Sequence, residues 1–350
     1  VRILVTGGAG FIGSHTCVTL IEKGYEIVVL DSYVNGHQKS IKQVIKILAS
    51  KKETSNVNLE IIEGDLRDEK LLEKIFLESK KSSKPIKAVL HFAGLKSVAE
   101  SITNPLIYWD VNVNGAINLF NIMNKYNCRS IVFSSSATVY GRSSNMYLDE
   151  GSEINPINPY GRTKAVVEQL LNDIFESSPE SWRVANLRYF NPIGAHPSGL
   201  IGEAPNGIPN NIFPYLTQVA AGFLKKLTIF GSNWETKDGT GIRDYIHVMD
   251  LAEGHIAALE YLLNNRPQII SLNLGTGLGT SVLDLIKTFE AINKVNIPYE
   301  FSSKRKGDVG TVIADNSKAL SVIDWHPKRS LKEMCLDGWR WQYQNPRGYN

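Results

Sequence analysis

A glycine-rich turn between a short apolar run and a helical pattern constrains the fold of this chain more than any other feature. The run Ile3–Val5 leads into Gly7, Gly10 and Gly13, and the helical pattern Ile12–Lys23 follows at once. Glycine lets the backbone approach a pyrophosphate at Gly10 and lets the helix pack closely on the strand at Gly13. The turn therefore predicts the first unit of a doubly wound α/β sheet that binds a dinucleotide.

Short apolar runs alternate with helical patterns through the first half of the chain. Their nearly continuous apolar character is typical of a parallel sheet buried on both faces. The predicted strands are Ile3–Val5, Glu26–Leu30, Leu59–Ile62, Ala88–His91, Ser130–Phe133 and Val184–Arg188. A long helical pattern runs from Pro105 to Tyr126. Repeated units of this kind predict a doubly wound parallel sheet, the Rossmann fold, with right-handed crossovers.

The character of the sequence changes after Asn191. Residues 192–214 are rich in Gly, Pro and Asn and lack sustained periodicity, which is typical of a functional loop or a disordered linker. We therefore predict a cofactor-binding domain over residues 1–190 and a smaller substrate lobe over residues 191–350. Some segments of the second unit are expected to pack back on the first.

The composition is that of an ordinary globular protein and argues against several classes of function. A formal net charge of +3, spread along the chain, does not predict nucleic-acid binding. No apolar run reaches the ~18–20 residues of a membrane span, and the first residues form a predicted strand rather than a signal peptide. The histidines show no paired metal-ligand spacing, so we predict no metal. Three distant cysteines, Cys17, Cys128 and Cys335, favour reduced thiols in the cytoplasm.

An acidic residue at the end of the second predicted strand marks a candidate ribose-binding position. Asp31 follows the glycine turn at close to the ~20 residues expected of the carboxylate that accepts hydrogen bonds from ribose hydroxyls. A carboxylate would repel a 2′-phosphate, and no arginine follows directly in Ser32-Tyr33. The sequence therefore favours NAD over NADP.

Two later strand ends are candidates for further cofactor contacts. Asp65, followed by Leu66, could place a carboxylate against the adenine amino group. The alternative is that Asp65 caps the helix that follows. Phe92-Ala93-Gly94 gives a small-residue passage for the cofactor at another strand end.

Tyr160 and Lys164 form the candidate catalytic pair. Side chains four residues apart lie on one face of a helix, where the Lys ammonium would lower the pKa of the phenol and let it act as a base. Ser136, in a serine run at the end of a predicted strand, would hydrogen-bond the reacting oxygen. The alternative is a surface Tyr–Lys pair on an amphipathic helix, but the cofactor signature upstream favours the catalytic interpretation.

Several longer blocks of the sequence carry a family resemblance. They are Thr6–Gly13, His91–Lys96, Ser134–Gly141, Asn158–Lys164, Arg188–Pro197, Gly207–Asn211, Asp238–Val248, Trp339–Trp341 and Asn345–Tyr349. Together they resemble the extended short-chain dehydrogenase/reductase family, and within it the nucleotide-sugar epimerases. The N-terminal blocks are common to the superfamily, whereas those from Arg188 to Val248 point to the epimerases. The similarity covers nearly the whole chain.

The resemblance implies an activity, a cofactor and an assembly. NAD would be tightly held and recycled while UDP-galactose and UDP-glucose are interconverted. Tyr160 would act as the base, oxidation at C4 would give a 4-keto sugar, and hydride would return to the other face after that sugar has turned. The partner molecules implied are a UDP-hexose and a second copy of the chain, in a homodimer formed through helices of the first domain.

The resemblance also implies which residues bind each ligand. With the residues named above, the set for NAD is Gly7, Gly10, Phe11, Ile12, Gly13, Asp31, Ser32, Tyr33, Asn35, Gly36, Asp65, Leu66, Phe92, Ala93, Gly94, Lys96, Ser134, Tyr160, Lys164 and Phe190. The set for the UDP-hexose is Lys96, Ser136, Tyr160, Asn191, Asn211, Ile212, Thr228, Phe230, Arg243, Arg305, Asp308 and Val312. Two arginines suit a diphosphate because a guanidinium forms charge-assisted, often bidentate bonds. The alternative for Arg243 is an ion pair with Asp244 or another nearby acid.

Two positions vary within the family. Val312 aligns with a residue that is Tyr in some relatives and Cys in others. Its small side chain predicts room for a 2-acetamido group, and hence activity on UDP-GlcNAc and UDP-GalNAc. Val111 stands where some relatives carry Asn, and Asn112 could supply the structural amide.

Two other functions compete with this interpretation. A nucleotide-sugar 4,6-dehydratase also oxidises C4, but it needs an acid and a base near C5 and C6. The corresponding positions here are Ala137 and Thr138. A redox sensor or scaffold that binds NAD without chemistry can lose the Tyr or the Lys, and this chain has both.

Overall fold

The computed structural model describes residues 1–50, 58–143, 145–207, 209, 211–305 and 308–349. Ile208 and Asn210, which belong to one of the blocks above, lie outside these ranges. The strands are β1 (Arg2–Thr6), β2 (Glu26–Asp31), β3 (Leu59–Glu63), β4 (Ile86–His91), β5 (Ser130–Ser134), β6 (Tyr147–Leu148), β7 (Arg183–Tyr189), β8 (Asn191–Ile193), β9 (Leu227–Phe230), β10 (Ile242–His247), β11 (Gln268–Leu274), β12 (Gly279–Ser281), β13 (Tyr299–Ser302) and β14 (Thr311–Ala314). The α helices are α1 (Phe11–Glu22), α2 (Gln38–Ser50), α3 (Glu69–Lys81), α4 (Val98–Thr103), α5 (Pro105–Tyr108), α6 (Gly115–Lys125), α7 (Pro159–Ser177), α8 (Ile212–Ala220), α9 (Val248–Asn264), α10 (Val282–Asn293), α11 (Ser317–Ile323) and α12 (Leu331–Gln344).

A parallel sheet of seven described strands forms the centre of the first lobe, in the order β11-β7-β5-β4-β1-β2-β3. The order reverses at β1, which lies between β2 and β4, so the loops after β1 and β4 flank a crevice at the carboxyl ends of the strands. The predicted doubly wound fold and its six predicted strands are confirmed. The seventh strand, β11, is not predicted from the sequence and pairs in parallel with β7.

Both faces of this sheet are buried, as the continuous apolar strands predict, except along the edge strand β3, where Ile61 is 40% exposed. Along β1, Ile3 and Val5 pack into one core with residues of α1 and α9, whereas Leu4 packs into another with residues of α3 and α6. Side chains of successive residues in a strand point to opposite faces, so an apolar residue at every position is what two covered faces require.

The chain crosses between the two lobes more than once. The second lobe contains the sheet β12-β10-β14-β6, with β8 beside β10, and a separate pair of β9 and β13. The short strand β6 comes from the first half of the chain and pairs with β14. In the other direction, α9 packs against α1, and β11 joins the first sheet. The segment from Val248 to Leu274 therefore belongs spatially to the first lobe.

The helix predicted from Pro105 to Tyr126 is interrupted. Residues Trp109–Asn114 form a π-helical turn between α5 and α6. Within this turn Asn112 is buried, where its Oδ1 accepts a hydrogen bond from the Leu95 N–H at 2.8 Å and its Nδ2 donates to the Leu95 carbonyl at 3.1 Å. π turns are frequent at functional sites. This one ties the middle of the helical segment to the loop after β4.

Candidate active site

The glycine turn after β1 packs so closely that two of its positions admit only glycine. A Cβ at Gly7, whose φ is +72°, would lie 2.6 Å from the Ala93 nitrogen, and a Cβ at Gly13 would lie 2.3 Å from the Gly7 carbonyl oxygen. Gly10 precedes α1 and forms no side-chain cap. The first N–H groups of α1 can therefore hold an anion. The turn fits the pyrophosphate of a dinucleotide.

Asp31 is fixed at the carboxyl end of β2. Its Oδ2 accepts a hydrogen bond from the Ala9 N–H and its Oδ1 one from the Tyr33 N–H, both at 2.8 Å. Burial raises the pKa of this carboxyl, and the two N–H donors partly offset the rise. A Cβ at Gly36 would lie 2.9 Å from Asp31 Oδ1, so glycine leaves this oxygen uncrowded. Each oxygen has a second acceptor site, and the carboxylate therefore fits the ribose hydroxyls of NAD.

Asp65, the second acidic candidate, does not cap the helix that follows. The cap of α3 is Asp68, whose Oδ1 accepts a hydrogen bond from the Leu71 N–H at 3.0 Å, so the alternative interpretation of Asp65 is wrong. The Asp65 carboxylate pairs instead with Arg67 at 2.8 Å, and hydrogen bonding to this guanidinium lowers its pKa. Contact between Asp65 and adenine stays a prediction.

Tyr160, Ser136 and Lys164 lie together at the carboxyl edge of the sheet, and all three are buried. The Ser136 and Tyr189 side chains lie close enough to the Tyr160 hydroxyl to act on its pKa, which Tyr189 raises and Ser136 lowers. Lys164 Nζ donates to the Ser134 carbonyl at 2.8 Å and lies 5.9 Å from the centre of the Tyr160 ring. The alternative of an exposed surface pair is therefore wrong, since α7 turns this face toward the end of β5.

Burial acts on the pKa values of both members of the pair. The effect of Lys164 on the pKa of Tyr160 stays a prediction, and burial of the phenol raises that pKa well above its usual value. Burial also lowers the pKa of Lys164 to about 8, against the raising effect of the Glu168 carboxylate. Desolvation in this pocket outweighs the effect of an ammonium 5.9 Å from the ring centre. An oxidised nicotinamide ring, if bound nearby, would act in the opposite direction and lower the pKa of the phenol.

Tyr189 is a site residue that the sequence analysis does not single out. It ends β7. Burial raises the pKa of its hydroxyl, and the nearby Ser134 and Tyr160 side chains lower it. The available signal is its place in the chain, because side chains at the carboxyl ends of parallel strands meet at one edge of the sheet. Tyr189 directly follows a predicted strand, as Ser134 does.

Glu168 is a second such residue. It continues the row of Tyr160 and Lys164 along one face of α7 at a spacing of four residues, which is the signal that the sequence offers. Its carboxylate pairs with Arg188 Nη2 at 2.6 Å and accepts a hydrogen bond from the Ser135 hydroxyl. The ion pair is buried, so it links α7 to the ends of both β5 and β7.

The other predicted cofactor residues follow the carboxyl ends of the strands. They are Phe11 and Ile12 at the start of α1, Ser32 and Asn35 after β2, Leu66 after β3, Phe92, Ala93 and Gly94 after β4, and Phe190 after β7. Parallel strands place all of these loops at the same edge of the sheet. The structure therefore brings the predicted cofactor set to one side of the first lobe.

Arg243 lies on β10 opposite Val312 of β14. Its Nη1 donates to the Ile242 and Gly310 carbonyls, at 2.8 and 3.3 Å. Asp244 points elsewhere and accepts hydrogen bonds from the loop after β11 and from β14. The alternative of an Arg243–Asp244 ion pair is therefore wrong, and the Arg243 guanidinium keeps further donors for a ligand.

Arg305 stacks on an aromatic ring of the same lobe. Its guanidinium carbon lies 3.8 Å from the centre of the Phe230 ring. Phe230 and Thr228 belong to β9, and the Asp308 N–H donates to the Arg305 carbonyl at 3.2 Å. Stacking leaves the edge donors of a guanidinium available to a phosphate. These four predicted substrate residues therefore lie together.

Lys96 and Asn211 meet at Glu203, which connects the two halves of the chain. Lys96 Nζ lies 2.9 Å from Glu203 Oε1, and Asn211 Nδ2 lies 3.4 Å from the same oxygen. Asn211 also precedes α8, which begins at Ile212. Asn191 begins β8 and pairs with β10. Glu203 is not predicted from the sequence.

Two further features of the described residues bear on function. None of the helices in the described part of the chain is long and apolar enough to cross a membrane. Over the same residues, no three His, Cys, Asp or Glu side chains are grouped in a way that could hold a metal ion.

Comparison with known proteins agrees with this geometry. A family model described as GDP-mannose 4,6 dehydratase matches residues 4–337. The UDP-glucose 4-epimerase of Bacillus subtilis is 50% identical over 99% of this chain and 98% of its own length. A crystal structure of UDP-glucose 4-epimerase from Stenotrophomonas maltophila, with bound NAD and formylated UDP-arabinopyranose, superimposes with a TM-score of 0.93 at 44% identity, covering 99% of both chains. The enzyme from Bifidobacterium longum, in complex with NAD+ and UDP, gives a TM-score of 0.91 at 42% identity, covering 99% of this chain and all of the other.

A doubly wound sheet with a Ser, Tyr and Lys cluster at its carboxyl edge and a second lobe facing it defines an extended short-chain dehydrogenase/reductase. Within this class, the full-length match to the UDP-glucose 4-epimerase of Bacillus subtilis shows the particular family. The chain belongs to the UDP-glucose 4-epimerase family.

Proposed function

We propose that this protein interconverts UDP-galactose and UDP-glucose, with NAD as a resident cofactor. The observation that carries the proposal is the burial of Tyr160 next to Ser136 and Lys164, beside loops that fit a dinucleotide. Membership of a family whose solved relatives hold NAD with UDP or a UDP sugar supports it.

Each catalytic side chain has one task in this reaction. Tyr160 takes the proton from the C4 hydroxyl and later returns it to the same oxygen. Ser136 hydrogen-bonds that oxygen, and Lys164 keeps a positive charge near the phenol. Bound NAD supplies the hydride acceptor and donor at C4. Because Tyr160 and Ser136 are each 6% exposed, little water reaches the 4-keto sugar while it turns.

The second lobe holds the nucleotide part of the substrate in this proposal. We assign Arg243 and Arg305 to the diphosphate, Asp308 to the ribose, and Asn191 and Asn211 to further polar contacts. Residues 1–190 bind the cofactor, and residues 191–350 bind the UDP sugar, although the segment from Val248 to Leu274 packs on the first lobe. Binding energy placed in the nucleotide leaves the hexose free to present both faces.

The direct experiment is to incubate the purified protein with UDP-galactose and to follow UDP-glucose. Release of NAD on denaturation, seen in the ultraviolet spectrum, would accompany conversion if the cofactor is resident. A 4-keto-6-deoxy product would support a dehydratase instead. Absence of turnover with NAD bound would support a sensor and would overturn the proposal.

A 4,6-dehydratase is the competing function, because the matching family model carries that description. Elimination of water needs an acid and a base near C5 and C6 of the sugar. At the corresponding positions Ala137 has no titratable group, and the Thr138 hydroxyl donates to Ser136 Oγ at 3.0 Å. These two positions therefore do not supply the chemistry of a dehydratase.

Val312 gives a prediction about substrate range. It lies opposite Arg243 on β14, and its side chain is small. We expect turnover of UDP-GlcNAc as well as UDP-glucose, and we expect Val312→Tyr to suppress the former about tenfold or more, since overfilling a packed site costs ~1–3 kcal/mol. Kinetic constants for both substrates test this, with Val312→Ala as the small-residue control. Robust turnover of UDP-glucose by the unaltered protein, with none of UDP-GlcNAc, would refute it.

We also propose a homodimer, formed through exposed apolar residues of α4, α5 and α6. Leu106 is 82% exposed and Ile102 is 62% exposed, and Ile107, Trp109 and Ile117 extend the patch. Large apolar side chains are thus exposed over one stretch of the chain, which suits an interaction surface, and a two-fold axis would let this surface cover itself.

We expect Leu106→Glu to yield monomers, because two like charges would face each other across the axis. Analytical ultracentrifugation measures the mass. Leu278→Glu is the matched control, since Leu278 is 71% exposed on the second lobe, and this variant should remain dimeric. A monomeric unaltered protein, or a dimer unaffected by Leu106→Glu, would contradict the proposed surface.

A cytoplasmic location is also part of the proposal. Cys17, Cys128 and Cys335 are free thiols and are buried. Burial raises the pKa of Cys128 and of Cys335 to about 12, so little reactive thiolate forms. Reduced cysteines of this kind suit a reducing compartment.

A further inference from the structure

One segment of the second lobe is fastened across the loop that follows β2. We call residues 202–206 the strap. His37 Nε2 donates to the Ala204 carbonyl at 2.8 Å, and Asn206 Nδ2 donates to the Val34 carbonyl at 3.0 Å. Two hydrogen bonds thus connect the strap to the first lobe, only a few residues after Asp31.

The loop that receives the strap is itself tied to the glycine turn. The backbone N–H of His37 donates to the Ala9 carbonyl at 3.3 Å, and the Ser40 hydroxyl donates to the same carbonyl at 2.8 Å. Ala9 in turn donates its N–H to Asp31. The residues beneath the strap are therefore those that position the candidate pyrophosphate and ribose sites.

An aromatic cluster formed by Trp341 of α12 and Tyr349, which follows that helix, contacts the strap from the other side. The Tyr349 ring lies 5.1 Å from the His37 ring and 4.7 Å from the Trp341 ring, measured between centroids. The Gly202 N–H donates to the Tyr349 hydroxyl at 3.1 Å, and that hydroxyl lies 3.2 Å from the Gly202 carbonyl. Trp341 Nε1 donates to the Glu203 carbonyl at 3.2 Å. Tyr349 therefore contacts both the strap and His37, which lies in the loop that the strap crosses.

The packing of the strap is close as well as polar. A Cβ at Gly202 would lie 2.3 Å from the Trp341 ring, so the backbone rests directly on the indole. Tyr349 is 8% exposed, and Trp341 is 3% exposed. Aromatic rings buried in this way contribute more than their hydrogen bonds alone. The strap is therefore a fixed bridge between the lobes at the adenosine end of the cofactor site.

We propose that the strap, fastened by His37 and Tyr349, retains NAD between and during turnovers. The inference rests on the proposed function, since an epimerase that oxidises and re-reduces one sugar loses its product if the reduced cofactor leaves first. On this proposal, NAD leaves from this side only when the contacts of His37 and Tyr349 open. Both are positioning residues, and neither touches the reacting carbon.

The test is the rate at which cofactor leaves the protein, measured without substrate. Holoenzyme is mixed with an excess of fluorescent 1,N6-etheno-NAD, and exchange is followed by fluorescence. We expect His37→Ala and Tyr349→Ala each to accelerate exchange at least tenfold. Tyr349→Phe keeps the ring and loses the Gly202 bonds, so it should give a smaller acceleration. Tyr343→Ala is the matched control, because Tyr343 is a 72% exposed aromatic residue of α12, and exchange should stay at the unaltered rate.

Exchange in both alanine variants within twofold of the unaltered protein would overturn the inference. If Tyr349→Ala does not fold, the half-buried His37 decides the question alone, because its replacement removes one hydrogen bond and one ring contact. The result does not depend on turnover. If the unaltered protein exchanges NAD slowly but does not convert UDP-galactose, the proposed function is wrong and the proposed role of the strap stands. If it exchanges NAD fast and converts UDP-galactose normally, the role of the strap is wrong and the proposed function stands.

Discussion

Tyr160→Phe is expected to lower the turnover of UDP-galactose by ~10²–10⁴, the usual share of a positioned acid or base. The change removes the one oxygen that both takes and returns the C4 proton. It keeps the ring, which fills the pocket beside Ser136 and Tyr189. The initial rate of UDP-glucose formation measures the loss, and the amount of NAD released on denaturation shows whether the cofactor is still bound.

Tyr140→Phe is not a suitable control for this experiment, since the Tyr140 hydroxyl donates to Asn273 in the core. Tyr343→Phe is suitable, because it removes a phenol from an exposed position and should leave the rate unchanged. A rate within a few-fold of the unaltered protein in Tyr160→Phe would rule out the proposed base. Loss of both rate and bound NAD would mean that Tyr160 holds the cofactor rather than moves a proton.

The second large effect concerns the stability of the fold around the site. Glu168→Gln is expected to lower the free energy of unfolding by ~3–5 kcal/mol, because it leaves the buried Arg188 guanidinium without its counter-charge. Arg188 forms three hydrogen bonds to Glu168, at 2.6, 3.0 and 3.1 Å, and both side chains are less than a tenth exposed. Denaturant titration followed by circular dichroism measures the change.

Two variants separate the lost ion pair from other effects of the substitution. Glu176→Gln changes an exposed carboxylate on the same helix and should stay within ~0.5 kcal/mol of the unaltered protein. Glu168→Gln combined with Arg188→Met removes both charges, and it should recover much of the loss, since an apolar replacement of a buried pair is often nearly neutral. If Glu168→Gln alone is as stable as the unaltered protein, water or the Tyr140 hydroxyl already supplies the hydrogen bonds that the Arg188 guanidinium needs.

Much of the first lobe follows from local sequence. β1 to β5 and β7 each contain a short, mainly apolar run, which is the pattern typical of a parallel sheet, so their existence and type are predictable. Asp31 is also predictable, because its spacing in sequence from the glycine turn places it at the end of the next strand. The strand β11 was not, because its sequence, Gln268–Leu274, lies far along the chain and carries no sign of which lobe it joins.

The pKa values of the site residues are harder to predict from the sequence than the identity of those residues. Spacing places Tyr160 and Lys164 on one face of a helix, but their pKa values depend on burial, and burial depends on how α7 packs against β5. Asn112 is predicted from the sequence as the structural amide, and its hydrogen bonds to Leu95 and the Thr163 hydroxyl fit that role. The π turn that holds Asn112 is not predicted, because no local motif in the sequence marks it. Glu203 and the strap depend on contacts between residues more than one hundred positions apart.

The exchange of strands between the lobes makes them mutually dependent. β6 completes a sheet that is otherwise built from the second half of the chain, and β11 completes one built from the first half. Severed near residue 190, each half would carry an open sheet edge of unpaired backbone groups, the surface that invites aggregation. We therefore expect the two lobes to unfold as one cooperative unit. A chimaera that takes its sugar-binding half from a relative must also contain that relative's strands that pair across the two lobes.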